Sequence, residues 1–364
     1  MKYICDRSAL QEGLSAVSSV TLTRTPKPIL QCVRLTVEND GVTLTAYDQE
    51  VGLRYRVRQV EVEEPGETLV PCDKMVAIIR ESSDETMAFE TADDYLHIRG
   101  GDSHFQIVSQ SAREFPPVPD MEGEPNLIVK IGTLREAVNQ SLFAAAREST
   151  RYAINGVLWQ MHDKQLRLVA TDGRRLAMSN ASLEQSVGDD LQAIIPTKTL
   201  GLLGKFHSDA DELLEVRITS NQVVMRSERV TISSVLVEGN FPKWEDVVPR
   251  DNDKELIVET GDFLSAVRRA ALLANVESKG ISMNLQNGTM TLQSRSAEQG
   301  EAQIRLNVKY NGPEIRIGFN PEFLSDALKV CAENTTLLLK DPGKPGLIRS
   351  GKDFQYVVMP VNLS

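Results

Sequence analysis

At 364 residues, 41% of them hydrophobic, the sequence is too long for one ordinary domain and has the apolar content of a globular protein. No apolar run approaches the roughly 18 residues of a membrane span, and Asp6 and Arg7 interrupt the start where a secretory signal needs its apolar core, so a cytoplasmic protein is expected. The net charge of −11 excludes a uniformly basic nucleic-acid binder, and four cysteines and four histidines scattered without CxxC, HExxH or HxH spacing argue against a metal or other cofactor.

In chain order the sequence repeats one plan: a short β-rich run, a residue able to cap a helix, then an amphipathic helix. The six runs are KYICDRSALQEGL, TLVPCDKMVAII, LIVKIGTLREAV, QAIIPTKTLGLL, LIVETGDFLSAV and IRIGFNPEFLSDAL. Their predicted caps are Asp6, Asp73, Thr133, Thr197, Asp262 and Asn320, spaced 58 to 67 residues apart. Thr133 with Glu136 makes a capping box, and Pro321 follows Asn320 at the first helical position. After each helix, apolar and polar residues alternate as in strands, with hairpin turns expected at Asn39-Asp40-Gly41, Asp172-Gly173 and Asn287-Gly288. Each repeat therefore reads as strand, helix and about three antiparallel strands, an α+β fold. Longer loops after the first, third and fifth helices, and the similar endings SQSAREFPPVPD and VLVEGNFPKWED, group the repeats in pairs. Three similar domains follow, near 1–125, 126–254 and 255–364.

Leu10, Leu14 and Val17 share one helix face, as do Leu134, Val138 and Leu142, and Leu200 and Leu203 continue the theme; these stripes should pack on sheets. The ten residues after each cap sum to +4, so the remainder carries −15 of the net −11. A closed arrangement, with helices on a basic inner face and sheets on an acidic outer one, accounts for that separation. A duplex passing through would meet Arg and Lys at its phosphates. No base-reading motif is evident, so contact should be sequence-independent and salt-sensitive.

The stretch VATDGRRLAM at 169–178 has the ingredients of an active site, and Asp172 is its candidate acid. Arg174 and Arg175 would keep that carboxylate ionised, and neither a histidine nor a second carboxylate lies nearby in sequence. The run DPGKPGL at 341–347 lacks phosphate-loop spacing and reads as a hairpin turn. The equivalent loops of the other domains, TAYDQEVG and QSRSAEQG, lack the Gly-Arg-Arg-Leu sequence. A special loop on one domain of three, together with the apolar tail YVVMPV, points to a binding surface without chemistry. A hydrolase centred on Asp172 and a protein scaffold that does not touch DNA are the alternatives.

The threefold repeat with KPIL at 27–30, RYAINGVL at 151–158, ATDGRRLA at 170–177, GNFPKW at 239–244 and YVVMPVNL at 356–363 resembles the bacterial DNA polymerase III β subunits, the sliding clamps, over the whole chain. The resemblance implies three DNA-clamp domains per chain and a head-to-tail homodimer closed as a ring around duplex DNA. It implies a non-catalytic processivity factor without cofactor that docks the replicative polymerase catalytic subunit, the clamp loader, other DNA polymerases and repair proteins through short peptides. For DNA contact it points to Arg24, Arg151, Tyr152 and Lys198; helix position adds Arg80, Arg147 and Lys205. For the dimer seam it places Lys74, Ile78, Phe105 and Ile107 against Leu272, Leu273, Glu298 and Glu301 of the other copy. For the peptide pocket it points first to Ile154, Thr171, Gly173, Arg175, Leu176 and Pro242. Val247, Val357, Met359, Pro360 and Val361 complete that set. Several rim positions depart from the family's commonest pattern: Ala153 replaces an aromatic residue, Arg174 stands for a His, Asp246 for a basic residue, and Val361 and Asn362 for a Met and a basic residue.

Overall fold

A computed structural model describes residues 1–147, 153–188, 190–275 and 280–362. The six repeats are present. The first contains β1 (Lys2–Asp6), α1 (Arg7–Ser18), β2 (Cys32–Glu38), β3 (Gly41–Tyr47) and β4 (Val51–Val57), with an additional strand β5 (Val60–Glu64). The second contains β6 (Gly66–Pro71), α2 (Cys72–Glu81), β7 (Thr86–Ala92), β8 (Tyr95–Arg99) and β9 (His104–Val108). The third runs through β10 (Leu127–Lys130), α3 (Ile131–Ser141), β11 (Gly156–His162), β12 (Gln165–Thr171) and β13 (Arg175–Ser182). The fourth has β14 (Leu191–Pro196), a short α4 (Thr197–Gly201), β15 (Leu213–Ile218), β16 (Gln222–Arg226) and β17 (Val230–Val235). The fifth has β18 (Lys254–Glu259), α5 (Thr260–Ala271), β19 (Ile281–Gln286), β20 (Thr289–Ser296) and β21 (Gly300–Asn307). The sixth has β22 (Ile315–Phe319), α6 (Pro321–Leu328), β23 (Asn334–Leu339), β24 (Gly346–Ser350) and β25 (Phe354–Val358).

By their internal contacts the residues fall into two compact units, 1–132 with 198–236, and 133–197 with 237–364. The first unit holds a sheet ordered β5-β1-β7-β8-β9 and an eight-stranded sheet ordered β10-β15-β16-β17-β4-β3-β2-β6. The second holds an eight-stranded sheet ordered β14-β11-β12-β13-β25-β24-β23-β18 and a four-stranded sheet ordered β21-β20-β19-β22. Apart from β1, which also pairs with the additional strand β5, the leading strand of a repeat does not join the three hairpin strands of its own repeat. β1 pairs with β7 and β6 with β2, and the same exchange links β10 with β15, β14 with β11, β18 with β23 and β22 with β19. Repeats are thus interlocked two by two through antiparallel ladders. Tyr3 on β1 lies opposite Phe89 on β7 and stacks on it at 4.7 Å between ring centroids, so this exchange is sealed in the core.

Helix faces follow the sequence stripes. α1 buries Leu10, Leu14 and Val17 and packs against α2. Gly13 lies on the same buried face, where a Cβ would stand 2.7 Å from both Leu44 and Tyr55. Gly13→Ala should therefore overpack this contact and cost about 1–3 kcal/mol, read as a lower thermal midpoint.

Two of the six predicted caps act as caps. Asp6 accepts from the Ala9 N–H at 2.8 Å, and Asn320 accepts from the Glu322 N–H at 2.9 Å ahead of Pro321. At Asp73, Thr133, Thr197 and Asp262 the helices start earlier, at Cys72, Ile131, Thr197 itself and Thr260. The cause is that each strand runs into its helix without a spacer, so the last strand residue takes the cap position. Glu259 fills it with its carboxylate, accepting from the Gly261 and Asp262 N–H groups, whereas Pro71 makes no side-chain cap. Asp73 and Asp262 then fall in the first turn, where their charge favours the helix dipole. The hairpin turns lie where the sequence places them; Asn287 and Gly288, with φ of 47° and 74°, link β19 to β20.

Candidate docking site

The loop Asp172–Arg174 closes the β12–β13 hairpin in the second unit, and its polar atoms hold one another. Asp172 Oδ1 accepts from the Arg174 N–H at 2.9 Å and the Arg175 N–H at 3.1 Å, while Oδ2 takes the Arg175 Nε–H at 3.0 Å. Both carboxylate oxygens are therefore committed to building the turn. Thr171 Oγ1 donates to the Arg175 carbonyl at 2.6 Å and accepts from the Gly173 N–H at 3.0 Å. Gly173 adopts φ of +86°, a left-handed conformation that disfavours any side chain there.

Arg175 is a strut within this frame: 7% exposed, it reaches from the loop to α6 and to the segment after α3. Nη1 donates to Asp326 Oδ2 at 3.0 Å and Nη2 to the Phe143 carbonyl at 2.8 Å. Its guanidinium lies over the Phe323 ring at 4.5 Å and near that of Phe143 at 5.7 Å. Burial disfavours the charged form of Asp326, but hydrogen bonds from Lys329 and Arg175 outweigh it and hold this carboxyl below its ordinary value.

The C-terminal strand docks beside this hairpin. Leu176 lies opposite Val357 and Arg175 opposite Val358, and the Met359 N–H donates to the Arg174 carbonyl at 3.0 Å. The tail continues to Val361, whose N–H donates to the Gly318 carbonyl at 2.9 Å. Leu176 and Val357 join Leu158, Val169, Ile194 and Trp244 in one buried apolar cluster, with Phe241 and Val248 packed against it half-buried. At its margin Val247 is 49% and Met359 42% exposed. Two open recesses flank the tail: Val247, Val248, Pro249 and Met359 line one, and Gly318, Pro360 and Val361 line the other.

Of the residues expected in the pocket, Thr171, Gly173, Arg175, Leu176, Val357 and Met359 thus meet around one loop and one strand. Ile154 is buried, Pro242 is exposed, and Pro360 and Val361 are half-buried. Sequence reasoning missed Trp244, Phe241 and Val248 as parts of this apolar cluster, although Phe241 and Trp244 stand in GNFPKW, an aromatic pair at an exit from the sheet. Asp326, Phe143 and Phe323 carry no local sequence signal, since their role arises only where Arg175 reaches them.

The basic positions fare differently from one another. Arg24 and Lys205 are exposed in the first unit and Arg147 in the second. Arg80 is exposed with its Nε 2.9 Å from Glu81, and Lys198 forms a salt bridge with buried Asp48. Arg151 and Tyr152 lie outside the described residues. At the expected seam, β9 of the first unit and β21 of the second each end their sheet. Phe105 is half-buried and Ile107 buried on β9, and Lys74 is exposed and Ile78 half-buried on α2. In the second unit Leu272 is 76% exposed, Leu273 half-buried, and Glu298 and Glu301 exposed.

Among the described residues no helix is long and apolar enough to cross a membrane. Family models for the N-terminal, central and C-terminal domains of the DNA polymerase III beta subunit match residues 1–119, 128–243 and 245–362. The chain is 33% identical to a beta sliding clamp of Pseudomonas aeruginosa and 31% identical to one of Escherichia coli, covering all of both sequences. A sliding clamp of Pseudomonas aeruginosa solved with griselimycin superposes with a TM-score of 0.94 at 32% identity, each chain fully covered. A DNA polymerase sliding clamp of Bacillus subtilis gives a TM-score of 0.94 at 27% identity, again over both full chains. The conserved architecture and the whole-length matches together place this chain in the DNA polymerase III beta subunit family, the beta sliding clamps.

Proposed function

We propose that two copies of this chain close head to tail around duplex DNA and tether the replicative polymerase through the recesses beside the C-terminal tail. The beta sliding clamp is the processivity factor of DNA polymerase III and is not itself catalytic. What this chain contributes is then topology and docking. In this reading the three domains near 1–125, 126–254 and 255–364 each supply two repeats, and the protein works in the cytoplasm.

The observation that carries the ring is a gap in the strand pattern. The last strand of the first repeat pairs with that of the fourth (β4 with β17), and the last strand of the third with that of the sixth (β13 with β25). The last strands of the second and fifth repeats, β9 and β21, remain as sheet edges. The same pairing made between two copies would satisfy both edges, and a heterologous contact of this kind closes when the rotation per subunit is right. Leu272, exposed at the end of α5, fits an apolar anchor of that contact. Sedimentation at micromolar concentration should show a dimer, and Leu272→Asp should shift it to monomer; a monomeric wild-type chain would overturn the ring.

For DNA, Arg24, Arg80, Arg147, Lys198 and Lys205 are the candidate phosphate contacts, with Arg151 and Tyr152 assigned by resemblance alone. Their grip should be independent of sequence and weakened by salt. For partners, the recesses suit a short peptide with apolar anchors, as borne by the polymerase catalytic subunit, the clamp loader, other DNA polymerases and repair proteins. Met359 suits such a role because its flexible side chain adapts to several ligands.

A further inference from the structure

We propose that Asp48 keeps the grip on DNA loose by holding the Lys198 ammonium on the protein, in competition with the phosphate backbone. The inference rests on the reading of the chain as a DNA clamp and of Lys198 as a phosphate contact. Asp48 closes the turn between β3 and β4. Its Oδ1 accepts from the Glu50 N–H at 2.9 Å and the Val51 N–H at 2.6 Å, and its own N–H donates to the Val51 carbonyl at 3.1 Å. These bonds fix the carboxylate independently of any cation. Its other oxygen, Oδ2, takes the salt bridge from Lys198 Nζ.

The two partners differ in freedom. The Asp48 side chain is 4% exposed and immobile in its turn, whereas that of Lys198 is 44% exposed on a flexible stem. The lysine backbone is itself anchored: neighbouring Thr199 is buried and donates its hydroxyl to Ser234 at 2.7 Å, and Leu200 is in the core. Lys198 can therefore reach a phosphate only by turning its side chain away from Asp48. That movement leaves a buried carboxylate without its cation, which is costly. The net gain from each phosphate contact is reduced accordingly, and a ring that must move along DNA benefits from weak contacts. Asp48 is in this sense a positioning residue, acting on DNA through Lys198.

The division of labour between the two oxygens gives a clean test. Asp48→Asn retains Oδ1 with its two accepted N–H bonds and replaces only the oxygen that faces Lys198. Binding to a fluorescein-labelled duplex of about 30 base pairs is followed by anisotropy between about 50 and 200 mM salt. The variant should bind more tightly than wild type at every salt concentration. The slope of log affinity against log salt should steepen by about 0.9 for each Lys198 of the ring that engages a phosphate, so each such contact makes the variant lose roughly threefold more affinity than wild type over that range. In the double variant Asp48→Asn/Lys198→Gln the gain should disappear. Equal affinity and slope for wild type and Asp48→Asn would overturn the proposal, as would a gain that survives Lys198→Gln. A wild type without salt-dependent binding would instead remove the DNA reading, and this proposal with it. Thermal melting monitors the turn, and if Asp48→Asn melts early, Asp48→Ser, which also offers a neutral acceptor, is held to the same outcomes.

Discussion

Deletion of residues 360–364 is expected to weaken binding of an apolar-anchored polymerase peptide at least tenfold while leaving the dimer intact. Pro360 and Val361 line one of the two recesses and are held there by a single described backbone bond, from the Val361 N–H to the Gly318 carbonyl. Val357 and Val358 remain in the ladder with Leu176 and Arg175, so the sheet survives the truncation. An apolar anchor that loses its wall forfeits about 1.5–3 kcal/mol, roughly ten- to hundredfold in affinity. Fluorescence anisotropy with a labelled peptide reads the loss, and sedimentation reads the dimer. Unchanged peptide affinity would remove the tail from the docking site, and a monomeric truncation would show that the tail serves assembly instead.

Replacing Arg175 should cost more than any rim substitution. Arg175→Met preserves length and apolar contact with Phe143 and Phe323 but takes the guanidinium away from Asp172 and Asp326, leaving Asp326 its Lys329 partner. Breaking a buried pair costs about 3–5 kcal/mol, and with both carboxylates partly open to solvent and Lys329 still at Asp326 no more than the lower end is expected. The acid dependence has a definite sign. The Asp326 carboxyl is held below its ordinary value, so its contribution is fully present above the unfolded carboxyl value of about 3.9 and is lost as pH falls through the folded value. The stability gap between wild type and Arg175→Met should be widest near neutral pH and narrow below about pH 4, as the Asp326 carboxyl protonates. Thermal unfolding across that range tests it; a gap below about 1 kcal/mol, or one constant with pH, would contradict the strut. Peptide binding should weaken in parallel, because Leu176 and the Asp172–Arg174 loop lose their common support.

The two variants separate functions that the stretch ATDGRRLA merges on paper. Asp172 reads as an acid beside two arginines, and its real work is to accept two backbone N–H groups and one guanidinium bond. Arg174 and Arg175, adjacent in sequence, have unrelated roles: the first gives its carbonyl to Met359, and the second is buried against α6. Arg174 ends the turn and acts through its backbone whereas Arg175 opens β13 and acts through its side chain, so a dipeptide cannot be assigned a single role before the turn is known.

Much was legible from residues alone because it depends on a few neighbours at a time. The helical stripe Leu10–Leu14–Val17, the turn at Asn287-Gly288 and the caps Asp6 and Asn320 are each set by local geometry over a handful of residues. Repetition of those signals at near-even spacing fixed six strand–helix–three-strand repeats, and the lack of a paired base or metal cluster argued for binding over catalysis. Tertiary structure alone decided the rest. Which strand β1 or β6 would pair with is settled by ladders to residues about 80 to 90 positions away for β1 with β7 and about 30 to 40 away for β6 with β2, and no local pattern records the exchange between repeats. The displaced helix starts at Cys72, Ile131 and Thr260 depend on how each strand meets its helix. The burial of Arg175 needs Asp326, which is remote in sequence, and the open edges at β9 and β21 are defined only once the last hairpin strands of the other repeats have paired with one another, β4 with β17 and β13 with β25. Local chemistry named the parts of this protein; long-range pairing determined which of them are buried as frame and which stay available for a partner.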